Sequence, residues 1–313
     1  MKITKLPLNP PKKNALKGRN LKKNLFLICI LALPVMHWCV FWLYVNFSSF
    51  VLAFKNNSGE WSLINFKLFW SELTSRYGET LGVGVVNTFK YFSLNMFVIL
   101  PLSVIISYFI YKKIKYYRFF RIIFFLPSIL SGVALTSVYS NMISPIGPIG
   151  KLLTAIGVQI PAEGFLMNAD TATNAILVYC LWTGFATKVT ILSSAMARVP
   201  IEVLESSRLD GCTGVRELRS MVLPLIWPSI STLIIFELTG IFSASGPILL
   251  FQPDGGYGTM TISFWIFSKV YGSSAAGNNY GLVSCMGLIF TCIGVPIIML
   301  IRWLIEKIPS AEY

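Results

Sequence analysis

The sequence predicts an all-α membrane protein, a polytopic bundle of six transmembrane helices. Three observations carry that expectation. The 313 residues are 55% apolar and only 12% charged, with a mean hydropathy of +0.68, whereas soluble domains carry about 25% charged residues. The apolar residues gather in six runs, each long enough for the roughly 20 residues that cross a bilayer. The basic residues fall in alternate connecting segments. A bilayer interior has no water for free backbone N–H and C=O groups, so spans of this kind fold as helices, which satisfy those groups internally.

The six runs lie at about 24–54, 83–111, 119–142, 172–197, 222–250 and 281–305. The third is the cleanest, with Arg121 the one charge between Phe119 and Tyr139. Residues 1–23 form a basic tail in which Pro7, Pro10 and Pro11 oppose helix, and anionic lipid attracts such a tail to the inner leaflet. Residues 24–82 hold the first span and an external loop, where Trp61, Trp70 and Tyr77 suit the membrane interface. Residues 83–306 form a five-helix core with external segments at 142–171 and 251–280 and a polar loop at 198–224. Residues 307–313 form a C-terminal tail. A basic tail followed by an apolar run has the outline of a signal peptide, but this run is about twice as long as a signal core, so it is read as a retained helix.

The net charge of +13 is distributed by topology. Eight Lys and Arg precede residue 24, five lie in 111–121, four in 198–219 and two in 302–313. The alternate segments hold Lys55, Lys67, Arg76, Lys151 and Lys269. This is the positive-inside pattern, and it predicts that both termini and the 111–121 and 198–221 loops are cytoplasmic. A nucleic-acid surface gathers its charge on one face of one fold, so that function is excluded. The six cysteines form no C-x-x-C pair and indicate neither a zinc site nor a disulfide framework. One histidine and dispersed acids supply no catalytic constellation and no metal site. The absence of G-x-x-x-x-G-K-[ST] means that the chain has no phosphate-cradling loop and carries no nucleotide cofactor itself.

Proline recurs within the predicted spans, at Pro34, Pro101, Pro127, Pro228 and Pro247. Each frees a carbonyl and permits a kink, which a multi-helix bundle tolerates because neighbours or a wet cavity satisfy the freed group. Small residues over 240–246 allow close helix approach.

The 198–224 loop is the most specific part of the chain. Pro200 suits the first turn of a helix, and Ile201–Leu209 reads as a short helix with Ile201, Leu204 and Leu209 along an apolar edge. Ser206 and Ser207 keep one face low enough for another protein surface to approach. Asp210-Gly211 reads as a left-handed stop, and Thr213 as the cap of a second segment with Arg216, Glu217 and Arg219. That segment runs into Leu223-Pro224. The spacing is Glu205 and two small residues, three residues, Gly211, nine residues, Met221, one residue, then Leu223-Pro224. It resembles the EAA loop of the membrane subunits of binding-protein-dependent ABC importers, with serines for alanines and Met221 for the usual aliphatic residue. Further segments resemble the sugar-permease branch, the maltose and glycerol-3-phosphate permease type: Asn87-Thr88-Phe89, Ile106-Ser-Tyr-Phe109, Arg118-Phe-Phe-Arg121 with Phe125-Leu-Pro-Ser128, Trp182-x-Gly184, Gly255-Gly-Tyr-Gly-Thr-Met-Thr261 and Tyr280-Gly281.

The resemblance implies the fold of an ABC type I importer permease in a bacterial cytoplasmic (inner) membrane. It implies a second permease subunit, two ATP-binding subunits holding ATP and Mg2+, an extracytoplasmic solute-binding protein and a sugar substrate. It makes Glu202, Glu205, Ser206, Ser207, Asp210, Gly211, Leu223 and Pro224 the ATPase-coupling residues. Within the bilayer, Glu237 is a costly mid-span carboxylate and a functional candidate. It either pairs with a cation such as Lys188 or lines the substrate path, for which Asn95, Asn141, Trp182, Ser243, Ser245 and Gln252 are further candidates. His37 reads as a packed hydrogen-bonding residue. The alternative is an ion-gradient-driven secondary transporter, which would use intramembrane acids but leaves the 198–224 loop unexplained.

Overall fold

The computed structural model describes residues 13–56, 58–74, 81–242, 246–271 and 279–308, with side chains from Lys23 onward. The outer parts of the expected tails, 1–12 and 309–313, lie outside the described residues, as do Tyr77, Ser243 and Ser245. The described chain is helical, and four of its helices are long and apolar enough to cross a membrane: α1 (Lys23–Ala53), α3 (Leu81–Tyr111), α7 (Ala172–Met196) and α12 (Tyr280–Glu306). Between α1 and α3 lies the short α2 (Ile64–Thr74), so the segment expected as a plain external loop contains a helix. Asn65 of α2 is buried and donates to the carbonyls of Ala53 and Lys55 at 3.0 and 2.8 Å, closing α2 against the end of α1. The rest of α1 is exposed along its most apolar stretch.

The third and fifth runs are not single helices. The third divides into α4 (Tyr117–Ile129) and α5 (Gly132–Ile143), which continues through α6 (Pro148–Ala155). The two parts are bent by 110°. Leu130 and Ser131 are extended at the break (ψ 151° and 131°), and Pro127 in the last turn of α4 has no N–H to continue the ladder. After α7 come α8 (Ile201–Leu209), α9 (Val215–Leu225) and α10 (Trp227–Gly240). The fifth run meets an elbow of 75° between α9 and α10, at Ile226 (φ −96°, ψ 5°) between Pro224 and Pro228. Counting each bent pair as one span gives up to six spans among the described residues. The 251–280 segment also contains a helix, α11 (Ile262–Tyr271), preceded by the single turn Ile248–Phe251.

Three sequence segments that lie far apart form one joint at the far end of the bundle from the 111–121 basic residues. Asn87 of α3 is buried and donates to the carbonyls of Gly258 and Met260 at 2.6 and 2.9 Å. Thr88 accepts from the Ile262 N–H at 3.0 Å, and Thr173 of α7 donates to the Gly258 carbonyl at 3.0 Å. Gly84 permits this approach, because a Cβ there would stand 3.2 Å from the Thr261 carbonyl carbon. Around the joint a core gathers Leu81, Tyr91, Ile176, Met260, Ile262, Phe264, Trp265 and Met286. Apolar burial alone does not select partners in lipid, so close packing and polar clamps of this kind set the helix arrangement.

Candidate coupling loop and buried charge sites

Pro200 is the N-cap of α8, one residue before the expected position, with extended backbone (ψ 132°). The helix stops where the sequence indicates. Gly211 adopts φ +75°, its N–H donates to the Arg208 carbonyl at 3.0 Å, and the Cys212 N–H donates to the Ser207 carbonyl at 3.0 Å. These two bonds form a Schellman stop. A Cβ on Gly211 would meet nothing within 4 Å, so the backbone conformation alone calls for glycine.

The two faces of α8 differ. Leu204 is buried in a cluster with Val104 and Tyr108 of α3, Met196 of α7 and Val222 of α9. Glu202, Glu205, Ser206, Asp210 and Leu209 are exposed, Leu209 at 90%. Three expectations are corrected here. Ser207 does not share the outer face with Ser206: it is 3% exposed, and its hydroxyl donates to the Leu204 carbonyl at 2.9 Å. The 3.6-residue period of the helix carries it inward beside Leu204. The apolar edge is not continuous, since Ile201 and Leu209 face out while Leu204 faces in. Thr213 does not cap the second segment, because Gly214 (φ +58°) takes the N-cap position with no side-chain bond. At the end of α9, Leu223 and Pro224 are half-buried and precede the 75° elbow.

The group at the centre of this loop is a buried carboxylate. Glu217 in α9 is 1% exposed. Its two carboxylate oxygens lie 2.6 and 2.8 Å from Lys112 Nζ, just past the end of α3, and one of them is 3.3 Å from Arg208 Nε of α8. Tyr108 Oη of α3 donates to the Gly214 carbonyl at 3.0 Å. Burial opposes the charge on Glu217, but the hydrogen bonds and charges of Lys112 and Arg208 outweigh it and hold the carboxyl below its usual range. In sequence, Glu217 is one polar residue near Arg216 and Arg219, and nothing local marks it as buried.

A second charge group lies within the spans. Lys188 Nζ of α7 is 2.9 Å from Glu237 Oε1 of α10 and donates to Asn95 Oδ1 of α3 at 3.1 Å. The side chains of Lys188 and Glu237 are 9% and 21% exposed. Asn95 sits in a π-helical turn, Leu94–Ile99, and its Nδ2 donates to the Tyr91 carbonyl at 3.1 Å. Thr88, Tyr91, Asn95, Glu237, Gly240 and Ile241 border a cavity of about 60 Å3. The Tyr91 hydroxyl is buried with no hydrogen-bond partner among the described residues. Of the substrate-path candidates, Asn95 and Glu237 thus come together. Gln252 is held elsewhere, donating to the Leu166 carbonyl at 2.6 Å. Asn141 is exposed and bonds the Ser137 carbonyl of its own helix. Trp182 is half-buried on α7, more than a turn before Lys188. Ser243 lies outside the described residues. No group of three or more His, Cys, Asp or Glu that could hold a metal ion occurs among the described residues.

Residues 93–309 match the family described as the binding-protein-dependent transport system inner membrane component. The multiple sugar-binding transport system permease protein MsmF of Streptococcus mutans is 29% identical over 202 residues, covering 64% of this chain and 68% of that protein. The diacetylchitobiose uptake system permease protein NgcF of Streptomyces coelicolor is 25% identical over 186 residues, covering 58% of this chain and 52% of that protein. A bacterial alginate ABC transporter, solved in complex with an alginate pentasaccharide-bound periplasmic protein, superposes with a TM-score of 0.74 at 21% identity, covering 90% of this chain and 94% of that one. The family match spans well over half of the chain, which therefore belongs to the inner membrane components of binding-protein-dependent transport systems.

Proposed function

We propose that the chain is the permease subunit of an ATP-driven ABC importer, forming half of the path for a carbohydrate delivered by a solute-binding protein. It works with a second permease subunit, and it meets one of two ATP-binding subunits through the 200–224 loop on the cytoplasmic side. ATP and Mg2+ are bound and hydrolysed in those partners. The observation that carries this reading is the two-faced α8. Leu204 and Ser207 seat the helix on its own bundle, while Glu205, Ser206 and Leu209 stand free for a partner. Closure of the ATP-loaded partner presses on this face, and α9 conveys the displacement to α10.

The cargo is an oligosaccharide or modified sugar, a reading supported by the printed substrates of the similar proteins. The Lys188–Glu237–Asn95 group supports it too. A paired lysine and carboxylate with an amide offer hydroxyl groups both donors and acceptors without net charge.

Glu205→Lys is expected to abolish uptake and solute-stimulated ATP hydrolysis while the protein remains inserted in the membrane. Uptake that persists in cells lacking any partner ATPase would overturn the reading. Purified complex and binding protein, screened for sugars that stimulate ATP hydrolysis, will identify the cargo.

A further inference from the structure

The 75° elbow at Ile226 poses a mechanical question. If α8 and α9 met the rest of the bundle only through that elbow, flexing at Ile226 would absorb a push on α8. The buried carboxylate removes that freedom. Lys112 follows the last turn of α3, Arg208 belongs to α8 and Glu217 to α9, so one side chain ties three helices. The Tyr108 bond to the Gly214 carbonyl adds the turn between α8 and α9. Apolar packing already seats Leu204 and Val222 on α3, so the charged ties are not needed to bury the loop. Their geometry is directional, and packing alone is not.

We propose that Glu217 is a positioning residue that makes α8, α9 and the adjoining end of α3 one rigid unit, so that a push on α8 moves α3 together with α10. This rests on the importer reading above. It has a consequence inside the membrane. Seventeen residues separate Lys112 from Asn95, about 25 Å of helix at 1.5 Å per residue. A displaced α3 therefore shifts the residue that holds Lys188 beside Glu237. The loop reaches the charge group from two sides, through α10 and through α3.

The test uses the complete importer in proteoliposomes, with solute uptake and ATP hydrolysis measured on the same vesicles. Glu217→Gln and Lys112→Met are expected to keep hydrolysis within about twofold of wild type while solute moved per ATP falls by about fivefold or more. Tyr108→Phe, which removes the bond to Gly214 and the hydroxyl that interacts with Glu217, is expected to lower that ratio by about twofold, and it carries the test if Glu217→Gln does not assemble. In a variant whose native cysteines are replaced, Lys112→Cys with Glu217→Cys is uncoupled in the same way. A short bis-methanethiosulfonate linker, which forms a disulfide with each of the two new cysteines and releases methanesulfinate, then restores transport per ATP. Two results would overturn the proposal: an unchanged transport-to-hydrolysis ratio in the variants, or loss of uptake when the linker is applied, which would mean that the segments must move past each other. A wild-type complex that neither takes up solute nor couples hydrolysis to it would instead sink the importer reading.

Discussion

Two ion-paired carboxylates, the buried Glu217 and the half-buried Glu237, are partnered in different ways. Glu217 is 1% exposed and held by two cations from two other segments. Glu237 is 21% exposed, held by one lysine, and borders a cavity. Both pairs cross between helices, but the first is closed off from solvent while the second keeps an open side. A carboxylate with cations to spare fixes geometry. One with a single cation and a neighbouring void can exchange contacts as helices shift. The comparison assigns rigidity to the basic end of the bundle and adjustability to its middle.

The largest expected effect comes from breaking the second pair within the apolar bundle. Lys188→Met leaves Glu237 without its cation and should destabilise the protein by about 3–5 kcal/mol. The check is the detergent-solubilised yield and melting temperature, and restoration by a compensating Glu237→Gln would confirm that the stranded charge is the cause. Equal melting of Lys188→Met and wild type would mean that the pair does not hold the helices.

Glu217→Gln should have a smaller cost, about 2 kcal/mol, because its partners are partly exposed and screened and glutamine keeps some hydrogen bonding. The same site predicts a pH dependence. Lys112 and Arg208 hold the folded-state pKa of Glu217 below its ordinary value, so the stabilisation is complete above the ordinary carboxylate range, about 4.3. It is lost as pH falls through the folded value. Between pH 7 and pH 3 the wild-type melting temperature should fall more steeply than that of Glu217→Gln, and parallel curves would show that the carboxylate is not held by its cations.

The smallest effect tests the loop stop rather than its charges. Gly211→Ala meets no side chain but must adopt φ +75°, a cost of about 1 kcal/mol. That should lower the melting temperature slightly and leave the Glu217 pH profile unchanged. A changed profile would mean that the stop and the charge group are one device.

Hydropathy located α1, α3, α7 and α12 to within a few residues, because the bilayer leaves a long apolar run few options but helix. It did not reveal the bends. Pro127 and Pro228 lie next to breaks, yet Pro34 and Pro296 sit inside continuous helices. Proline marks where a helix can yield, and the packing around it decides whether it does. The loop divides similarly. The stop at Gly211 was legible because a left-handed turn has a residue signature. The inward turn of Ser207 and the burial of Glu217 were not, because both depend on what α3 brings alongside.

The sequence by itself determined the all-α character, the approximate spans, the charge asymmetry and the helix stop at Gly211. Those follow from local composition and backbone preference. Only the tertiary structure decided which polar groups meet: Asn87 with the 258–260 carbonyls, Lys188 with Asn95 and Glu237, and Lys112 with Glu217. Each joins residues roughly 50 to 175 positions apart through contacts made at hydrogen-bond range, and no local preference encodes a contact between helices that meet only once the bundle has formed.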